Sequence, residues 1–509
     1  GKDSLRPGQI KDFFPNAFKA HRWMTEQIAN EMRAWLVESV LDEEQRRYPK
    51  LNADQNNLIN TKTKSGYRRV KGPAGSGKTI CLAGRAAKLQ SEGKKVLVLC
   101  YNITLISEFR DMAVRFNNEA REIEIRNYHD WCGKILEENG YGGEYRDLFV
   151  EKNEMERDEA FKKGVPELLN DVFRKMRLLT DKLPPHLTYD AVIVDEGQDF
   201  TEQWWQTIRQ VLKPDGEALL AADVTQDLYG TANFWTDEPM PGAGFTGDWY
   251  NLKNVYRLPG KIHEFANDFA ETFLPDAKEK VLAMPDQHAI DLEPVIFQWR
   301  HIENDSGVVE AIAKAVMECP AIAVNSSQLV DLPYSDVTFL VHKEAIGRQV
   351  TNFLKAKNFN VKDTFSADDG SRSWTRDKIK KVYFTKGSGQ AKGATIHSYK
   401  GLENRAIVAY LPEPGGQSEL HAYYVAITRL KSSAKGSILI IISDWPEAKE
   451  FGKKWTERLQ LAAGSTTLSA EQDFDPRAEE NLSSKDIRDT KLSPSAQMET
   501  AIEGKFEFK

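Results

Sequence analysis

The stretch that decides the fold of this chain is Gly72-Pro73-Ala74-Gly75-Ser76-Gly77-Lys78-Thr79. Its spacing matches the phosphate-binding pattern G-x-x-x-x-G-K-[ST]. Glycines let the backbone curl so that successive N–H groups face phosphate oxygens, and a helix that follows points its positive end at the same anions. Lys78 is expected to reach the terminal phosphates, and Thr79 to offer its hydroxyl to Mg²⁺. The predicted nucleotide-binding residues of this loop are Gly72, Gly75, Ser76, Gly77, Lys78 and Thr79.

A pair of acidic residues forms the second candidate site. Asp195 and Glu196 follow the apolar run Ala191-Val192-Ile193-Val194, which predicts a buried strand. Ligands in parallel sheets bind at the carboxyl ends of the strands. Asp195 can therefore hold Mg²⁺, and Glu196 can orient and deprotonate an attacking water. A single acid would more often be a solvated loop charge, but the pair and the phosphate loop together indicate phosphoryl transfer.

Short apolar runs alternate with amphipathic stretches on both sides of these motifs. Helices are predicted near residues 77–89 and 105–116. Strands alternating with helices indicate an α/β fold whose parallel sheets are covered on both faces. The predicted strands are 96–100, 191–194, 218–221, 337–341, 394–397, 406–410 and 437–442.

The same pattern predicts the domain organisation. Residues 1–50 are expected to form an N-terminal helical segment, and residues 51–250 a first α/β domain with a charged helical insertion at about 133–188. Residues 251–463 are expected to form a second α/β domain. Residues 464–509 are rich in Ser, Asp, Glu, Lys and Thr, which predicts a flexible polar tail.

Composition narrows the classes of protein to consider. The net charge of −7 argues against wholesale electrostatic capture of duplex DNA, although a strand track needs only a few local cations. No stretch approaches the roughly 20 apolar residues of a membrane helix. The four cysteines have no metal spacing, and we expect three of them to line the core. A reducing, cytoplasmic location is therefore expected, with no membrane partner.

Several segments together resemble superfamily 1 helicases of the UvrD/Rep type. Asp195-Glu196-Gly197-Gln198-Asp199 is similar to that family's D-E-x-Q-D, and Leu51-Asn52-Ala53-Asp54-Gln55 looks like its adenine-reading Q motif. The resemblance covers about residues 51–445 and implies two RecA-like P-loop NTPase domains, with ATP and Mg²⁺ bound at the cleft between them. The remaining matching segments, in the family's order, are 98–105, 126–131, 221–229, 254–257, 395–403 and 424–429.

The resemblance also implies individual roles at the nucleotide. Gln55 would grip the adenine, Tyr256 would stack on it, and Glu403 would contact the ribose. Arg257 and Arg429 would act as arginine fingers, which can supply about 10³–10⁵ in rate. Gln226 would sense the γ-phosphate. The implied catalytic set is Lys78, Asp195, Glu196, Gln226, Arg257 and Arg429.

A track for single-stranded nucleic acid is implied in the same way. Aromatic side chains at strand ends can stack bases without sequence preference, at about 1–3 kcal/mol per base. The alternative is that these aromatic side chains pack the core, as such side chains often do. Trp131 is the candidate that fits this alternative best, and we assign Trp204-Trp205 to core packing. We expect Lys378, Lys380 and Lys381 to form a solvated face. The predicted contacts to nucleic acid are Tyr101, Asn102, Tyr128, His129, Tyr229 and His397.

Three functions are compatible with these features. The first is an ATP-dependent translocase or helicase that moves 3′→5′ on single-stranded DNA, with RNA also possible. The second is an ATP-gated regulatory subunit that senses nucleic acid or nucleotide and unwinds little, because residues 257–395 leave little room for the large second insertion of UvrD-type motors. The third is a P-loop kinase or ABC-type ATPase. A partner protein such as a nuclease is expected: no nuclease constellation is recognisable in this sequence, so any cutting of nucleic acid would be done by a partner chain.

Overall fold

The computed structural model describes residues 49–72, 75–150, 152–222, 243–252, 258–274, 294–303, 307–326, 329, 332–366, 374–384 and 389–462. The predicted N-terminal helical segment lies outside these residues except for its last two positions. The predicted polar tail lies wholly outside them.

A six-stranded sheet forms the centre of the first lobe. Its strand order is β3-β2-β4-β5-β1-β6, and every neighbouring pair is parallel. Cys100 lies opposite Asp195, so these two strands end at the same edge. The strands are β1 (Tyr67–Lys71), β2 (Val96–Cys100), β3 (Glu124–Asn127), β4 (Tyr189–Asp195), β5 (Leu212–Ala222) and β6 (Tyr250–Asn251).

Helices cover both faces of this sheet. The insertion predicted at about 133–188 is helical in the structure and lies between β3 and β4. Asn52 caps the first helix in a capping box with Gln55. The helices are α1 (Ala53–Asn60), α2 (Lys78–Ser91), α3 (Thr104–Phe116), α4 (Tyr128–Glu138), α5 (Gly142–Asp147), α6 (Glu154–Glu159), α7 (Val165–Thr180) and α8 (Glu202–Arg209).

A second parallel sheet forms the second lobe. Its six strands run in the order β7-β12-β11-β8-β10-β9. The strands are β7 (Val295–His301), β8 (Val337–Val341), β9 (Val361–Asp363), β10 (Ala391–Thr395), β11 (Ala406–Tyr410) and β12 (Ser437–Ser443). The helices are α9 (Gly260–Phe273), α10 (Val308–Asn325), α11 (Glu344–Ala356), α12 (Trp374–Val382), α13 (Gln417–Ile427) and α14 (Lys449–Ala462).

The architecture is that predicted from the sequence: an α/β fold with two parallel sheets, consistent with two RecA-like domains. The first sheet includes β6 (Tyr250–Asn251), which pairs with β1, so that sheet extends one residue past the boundary we expected. One buried apolar cluster contains side chains of both lobes, among them Phe109 from the first and Tyr399 and Ile427 from the second. The two lobes therefore share part of their core.

The cysteines and the helices allow two further expectations to be compared with the structure. All four cysteines are buried. Burial raises the pKa of the Cys81 thiol to about 12, so this thiol stays protonated and unreactive at neutral pH.

Among the described residues, no helix is both long and apolar enough to cross a membrane.

Candidate functional site

The phosphate loop joins β1 to α2, as its sequence predicts. Gly75 and Gly77 have φ values of 80° and 85°, in the left-handed region that favours glycine. A Cβ at Gly72 would lie 2.5 Å from the hydroxyl of Ser76 and 2.6 Å from the carbonyl oxygen of Leu252. Side chains are thus excluded where the backbone must approach an anion.

Lys78 is the first residue of α2, and it is 7% exposed. Its Nζ donates a 2.6 Å hydrogen bond to the carbonyl oxygen of Gly72, so the side chain folds back over the loop. The ammonium group and the positive end of α2 therefore both lie at the loop. This arrangement fits the binding of terminal phosphates.

Asp195 ends β4 and is fully buried. Its Oδ1 accepts a 3.0 Å hydrogen bond from the N–H of Glu196, whereas its Oδ2 has no hydrogen bond of ordinary geometry to any described residue. Burial, and then the charge of Glu196, raise the pKa of Asp195 to about 7, although the Thr79 hydroxyl and Lys78 oppose the shift. A buried carboxylate oxygen beside a threonine hydroxyl fits a hard divalent cation.

Glu196 is held by an unusual backbone conformation. Its φ and ψ are 55° and 45°, in the left-handed region that a non-glycine residue rarely adopts. Gln198 Nε2 donates to Glu196 Oε2, and the N–H of Asp199 donates to the carbonyl oxygen of Glu196 at 2.9 Å. Such strain persists where surrounding contacts over-determine it, and it is typical of active sites.

Gln55 contacts the phosphate loop directly. Its Nε2 donates a 3.1 Å hydrogen bond to the carbonyl oxygen of Ser76, and its Oε1 accepts one of 3.0 Å from the N–H of Asn52. The sequence did not predict this contact. It shows that Gln55 supports the loop backbone, while adenine recognition by the same residue stays a prediction.

Two of the nucleotide contacts implied for the second lobe are described. Arg429 is fully buried. Its Nε donates a 3.0 Å hydrogen bond to the carbonyl oxygen of Val425, and its Nη2 donates one of 3.1 Å to the Thr428 hydroxyl. Glu403 lies 3.6 Å from the ammonium group of Lys431. Their roles towards a nucleotide stay predictions. Gln226, Tyr256 and Arg257 lie outside the described residues.

Three of the predicted base-stacking residues, Tyr101, Tyr128 and His129, lie in a packed aromatic cluster. Tyr128 is 1% exposed, and its ring stacks on Trp204 at 4.4 Å. A base could reach the Tyr128 ring only if Trp204 moved, so its packing supports the alternative interpretation of a core residue. Tyr101 also stacks on Trp204, at 6.2 Å, and His129 lies 4.3 Å from the ring of Phe161.

The burial of the tryptophans agrees with the sequence-based interpretation. Trp131 is fully buried, and Trp204 and Trp205 are 3% and 1% exposed. All three belong to the apolar cluster on one face of the first sheet. Tyr229 lies outside the described residues.

Asn102 and His397, both predicted to touch nucleic acid, contact each other's loops. Asn102 Nδ2 donates to the carbonyl oxygens of His397 at 3.2 Å and Lys400 at 3.1 Å. Thr104 Oγ1 donates to the carbonyl oxygen of Ser398 at 2.8 Å. The loop after β2 in the first lobe thus binds the loop after β10 in the second. Their contact to nucleic acid stays a prediction.

Ion pairs between described residues also join the lobes, and the two that follow were not predicted. Lys400 Nζ lies 2.7 Å from both carboxylate oxygens of Asp199, and both side chains are almost fully buried, at 1% and 0% exposure. Lys378 pairs with Asp130 of the first lobe. The prediction that Lys378 belongs to a solvated face is therefore wrong, because α12 lies against α3 and brings the lysine to that acid.

The comparison with known families agrees with this geometry. Residues 55–232 match a family model described as an AAA domain, a P-loop NTPase-type domain that is found in UvrD/Rep-like helicases. No curated protein matches the chain. The matched region contains the phosphate loop, the acidic pair and strands β1 to β5 of the first sheet. The first lobe therefore contains a P-loop NTPase-type domain, which implies that it binds a nucleotide with a divalent metal.

Proposed function

We propose that the chain is an ATP-dependent translocase of single-stranded nucleic acid, with the 3′→5′ polarity on DNA of the UvrD/Rep type. The observation that carries the proposal is the contact between the loops that follow β4 and β10. Asp199, three residues from Glu196, is paired with Lys400 of the second lobe. A change at the nucleotide would thus be passed directly to the other lobe.

The first-lobe residues have distinct tasks in this reaction. The loop N–H groups and Lys78 would bind the phosphates, and Thr79 and Asp195 would hold Mg²⁺, whose charge would offset that of the phosphate oxygens. Glu196 accepts a proton from the attacking water, and Gln198 orients its carboxylate. Arg429 is proposed to approach the γ-phosphate from the second lobe.

A second contact between the lobes, between the loops that follow β2 and β10, supports coupling to a strand. Asn102 and His397 lie next to each other across the lobes, at the ends of β2 and β10. A strand bound across this edge would touch both lobes. Closure around a nucleotide, followed by opening after hydrolysis, would then shift one lobe along the strand relative to the other.

A second candidate function is an ATP-gated regulatory subunit that works with a partner such as a nuclease and unwinds little. Residues 364–390, between β9 and β10, favour it, because the one helix that the structure describes there is α12 (Trp374–Val382). This stretch is too short for a large inserted domain. A strand-displacement assay with the purified chain distinguishes the two functions: robust unwinding by the chain alone contradicts the second.

The primary test is the rate of ATP hydrolysis with and without single-stranded DNA, single-stranded RNA and duplex DNA. We expect single strands to stimulate turnover and Lys78→Ala to abolish it. Lys88→Ala is the matched control, because Lys88 lies on the same helix and bonds to Asn60 instead of the loop. Turnover that is indifferent to every nucleic acid contradicts the proposal and favours another class of P-loop ATPase.

A further inference from the structure

We infer that Lys400 is a positioning residue for the catalytic carboxylate of Glu196 and acts on it through Asp199. This inference rests on the proposed function, since it assigns Lys400 a part in that hydrolysis. The first lobe supplies the phosphate loop and the acids. The second lobe then supplies more than arginine fingers, because it also anchors the turn from which Glu196 projects.

Asp199 belongs to the turn that fixes Glu196. Residues Gly197–Asp199 form one turn of 3₁₀ helix, which is closed by the hydrogen bond from the N–H of Asp199 to the carbonyl oxygen of Glu196. Gln198, inside the turn, donates to the Glu196 carboxylate. A displacement of Asp199 would therefore move both the backbone and the side-chain partner of Glu196.

Lys400 accounts for the position of Asp199. Its ammonium group lies at 2.7 Å from each oxygen of the Asp199 carboxylate, so the carboxylate is held in orientation as well as in place. Neither side chain has room for competing water, since exposure is 1% and 0%. Charged hydrogen bonds of this kind, shielded from solvent, are stronger than exposed ones and less screened by salt.

The position of Lys400 is in turn set by the first lobe. Its carbonyl oxygen accepts a hydrogen bond from Asn102, and the carbonyl oxygen of nearby Ser398 accepts one from Thr104. The next residue, Gly401, has a φ of 87°, and a Cβ there would lie 2.7 Å from the side chain of Leu105. The loop that carries Lys400 is thus seated at the start of α3, and the ion pair cannot be treated as a flexible surface contact.

A buried ion pair can also serve stability alone, and the chain offers a matched pair to separate the two roles. Arg85 and Glu217 are joined by hydrogen bonds of 2.8 and 2.6 Å, at 5% and 6% exposure, entirely within the first lobe. In the described part of the chain, the hydrogen bonds of this pair join α2 to β5 and to the carbonyl oxygen of Ile59, and none of them reaches the turn Gly197–Asp199. Loss of either pair should affect unfolding, but only loss of the pair between the lobes should affect turnover.

The test compares two double variants, each of which removes both charges so that no unpaired charge stays buried. They are D199N/K400M and R85M/E217Q. Three quantities are measured in the full chain: kcat of basal ATP hydrolysis without nucleic acid, Kd for a fluorescent ATP analogue, and Tm. For D199N/K400M we expect kcat to fall at least about tenfold while Kd changes less than about twofold. For R85M/E217Q we expect a lower Tm and a kcat within about twofold of wild type.

An unchanged kcat in folded D199N/K400M overturns the inference, as does an equal fall of kcat in both double variants. Thr104→Val provides a milder test in case D199N/K400M does not fold. It keeps the side-chain shape and removes one hydrogen bond to the loop of Lys400. We expect basal kcat to fall about threefold with Kd unchanged, and an unchanged kcat in this folded variant also overturns the inference.

Basal turnover keeps the inference separate from the proposed function. If single strands fail to stimulate the wild-type enzyme, translocation is contradicted, yet the comparison of basal kcat values still decides the role of Lys400. If strands do stimulate the wild type and basal kcat is unaffected by D199N/K400M, only the positioning role is contradicted.

Discussion

Replacing Asp195 by asparagine should stabilise the protein in the absence of a divalent cation while abolishing the proposed hydrolysis of ATP. Burial and the neighbouring charge of Glu196 raise the pKa of Asp195 from its ordinary value of 3.8 to about 7. The folded state therefore binds a proton more tightly than the unfolded state. Ionising Asp195 costs free energy of folding, and this penalty grows as the pH rises from about 4 to 7 and is complete above that range.

The magnitude follows from the difference between these two pKa values. With 1.36 kcal/mol for each pH unit, the penalty is about 2 kcal/mol at pH 5.5 and about 4 kcal/mol at pH 8. Asp195→Asn removes the charge and with it the pH dependence. Its advantage over wild type in the free energy of unfolding should thus be larger at pH 8 than at pH 5.5, by about 2 kcal/mol.

Urea unfolding at the two pH values, with and without Mg²⁺ and ATP, measures this difference. The ligands should stabilise wild type more than Asp195→Asn, because a bound cation offsets the buried charge. Asp190→Asn, at the other end of β4, is the matched control. Burial raises the pKa of Asp190, but hydrogen bonds from Lys213 and Lys95 outweigh burial and lower this pKa. Asp190→Asn should therefore destabilise the protein. A variant at 195 that is less stable than wild type at pH 8, or whose advantage does not change with pH, refutes the reasoning.

Three further variants test a half-buried ion-pair network of the first lobe and two residues of the site. Burial raises the pKa of Glu124, but hydrogen bonds from Lys134, Arg126 and Tyr189 outweigh burial and lower the pKa to about 2. The contribution of Glu124 to stability is therefore full above about pH 4.5 and is lost towards pH 2. Glu124→Gln should lower Tm at pH 7 and flatten the decline of Tm with falling pH. Arg429→Ala should retain nucleotide binding but lose about 10³ or more in kcat. Gly77→Ala should weaken nucleotide binding at least about tenfold, because a Cβ there would lie 2.5 Å from Gln55 Nε2.

Each of these variants has a neighbour that serves as a control. Glu122→Gln removes an exposed acid two residues from Glu124 and should leave the decline of Tm with falling pH unchanged. Arg458→Ala removes an exposed arginine of the second lobe and should leave kcat unchanged. Gly93→Ala introduces the same backbone penalty as Gly77→Ala, with φ at 75°, but its Cβ would meet open space. Equal loss of nucleotide affinity in both glycine variants contradicts the proposed role of Gly77.

Strands buried on both faces were the most predictable elements of the fold. Three of them, β2 (Val96–Cys100), β8 (Val337–Val341) and β11 (Ala406–Tyr410), have the predicted bounds, because such strands are continuous apolar runs. The edge strands carry less signal. β3 (Glu124–Asn127) is mostly polar and β9 (Val361–Asp363) has three residues, so neither produces a recognisable run.

The local chemistry of the site was predictable, and its long-range contacts were not. The phosphate loop and the acidic pair are each specified within a few consecutive residues, and the structure places each at the end of its strand. Asp199 and Lys400, by contrast, are 201 residues apart in sequence, and nothing in the spacing of one indicates the other. The stacking of Tyr128 on Trp204 also depends on α8 lying against α4, which periodicity alone does not reveal.

The bonds between the loops after β2 and β10 have a consequence for which substitutions the chain tolerates. Asn102 and Thr104 act through their side chains, whereas His397 and Ser398 act through backbone carbonyl oxygens that any residue provides. This contact therefore restricts which side chains can stand at 102 and 104, but it places almost no restriction on the side chains at 397 and 398. A saturation library should therefore show few accepted residues at 102 and 104 and many at 398.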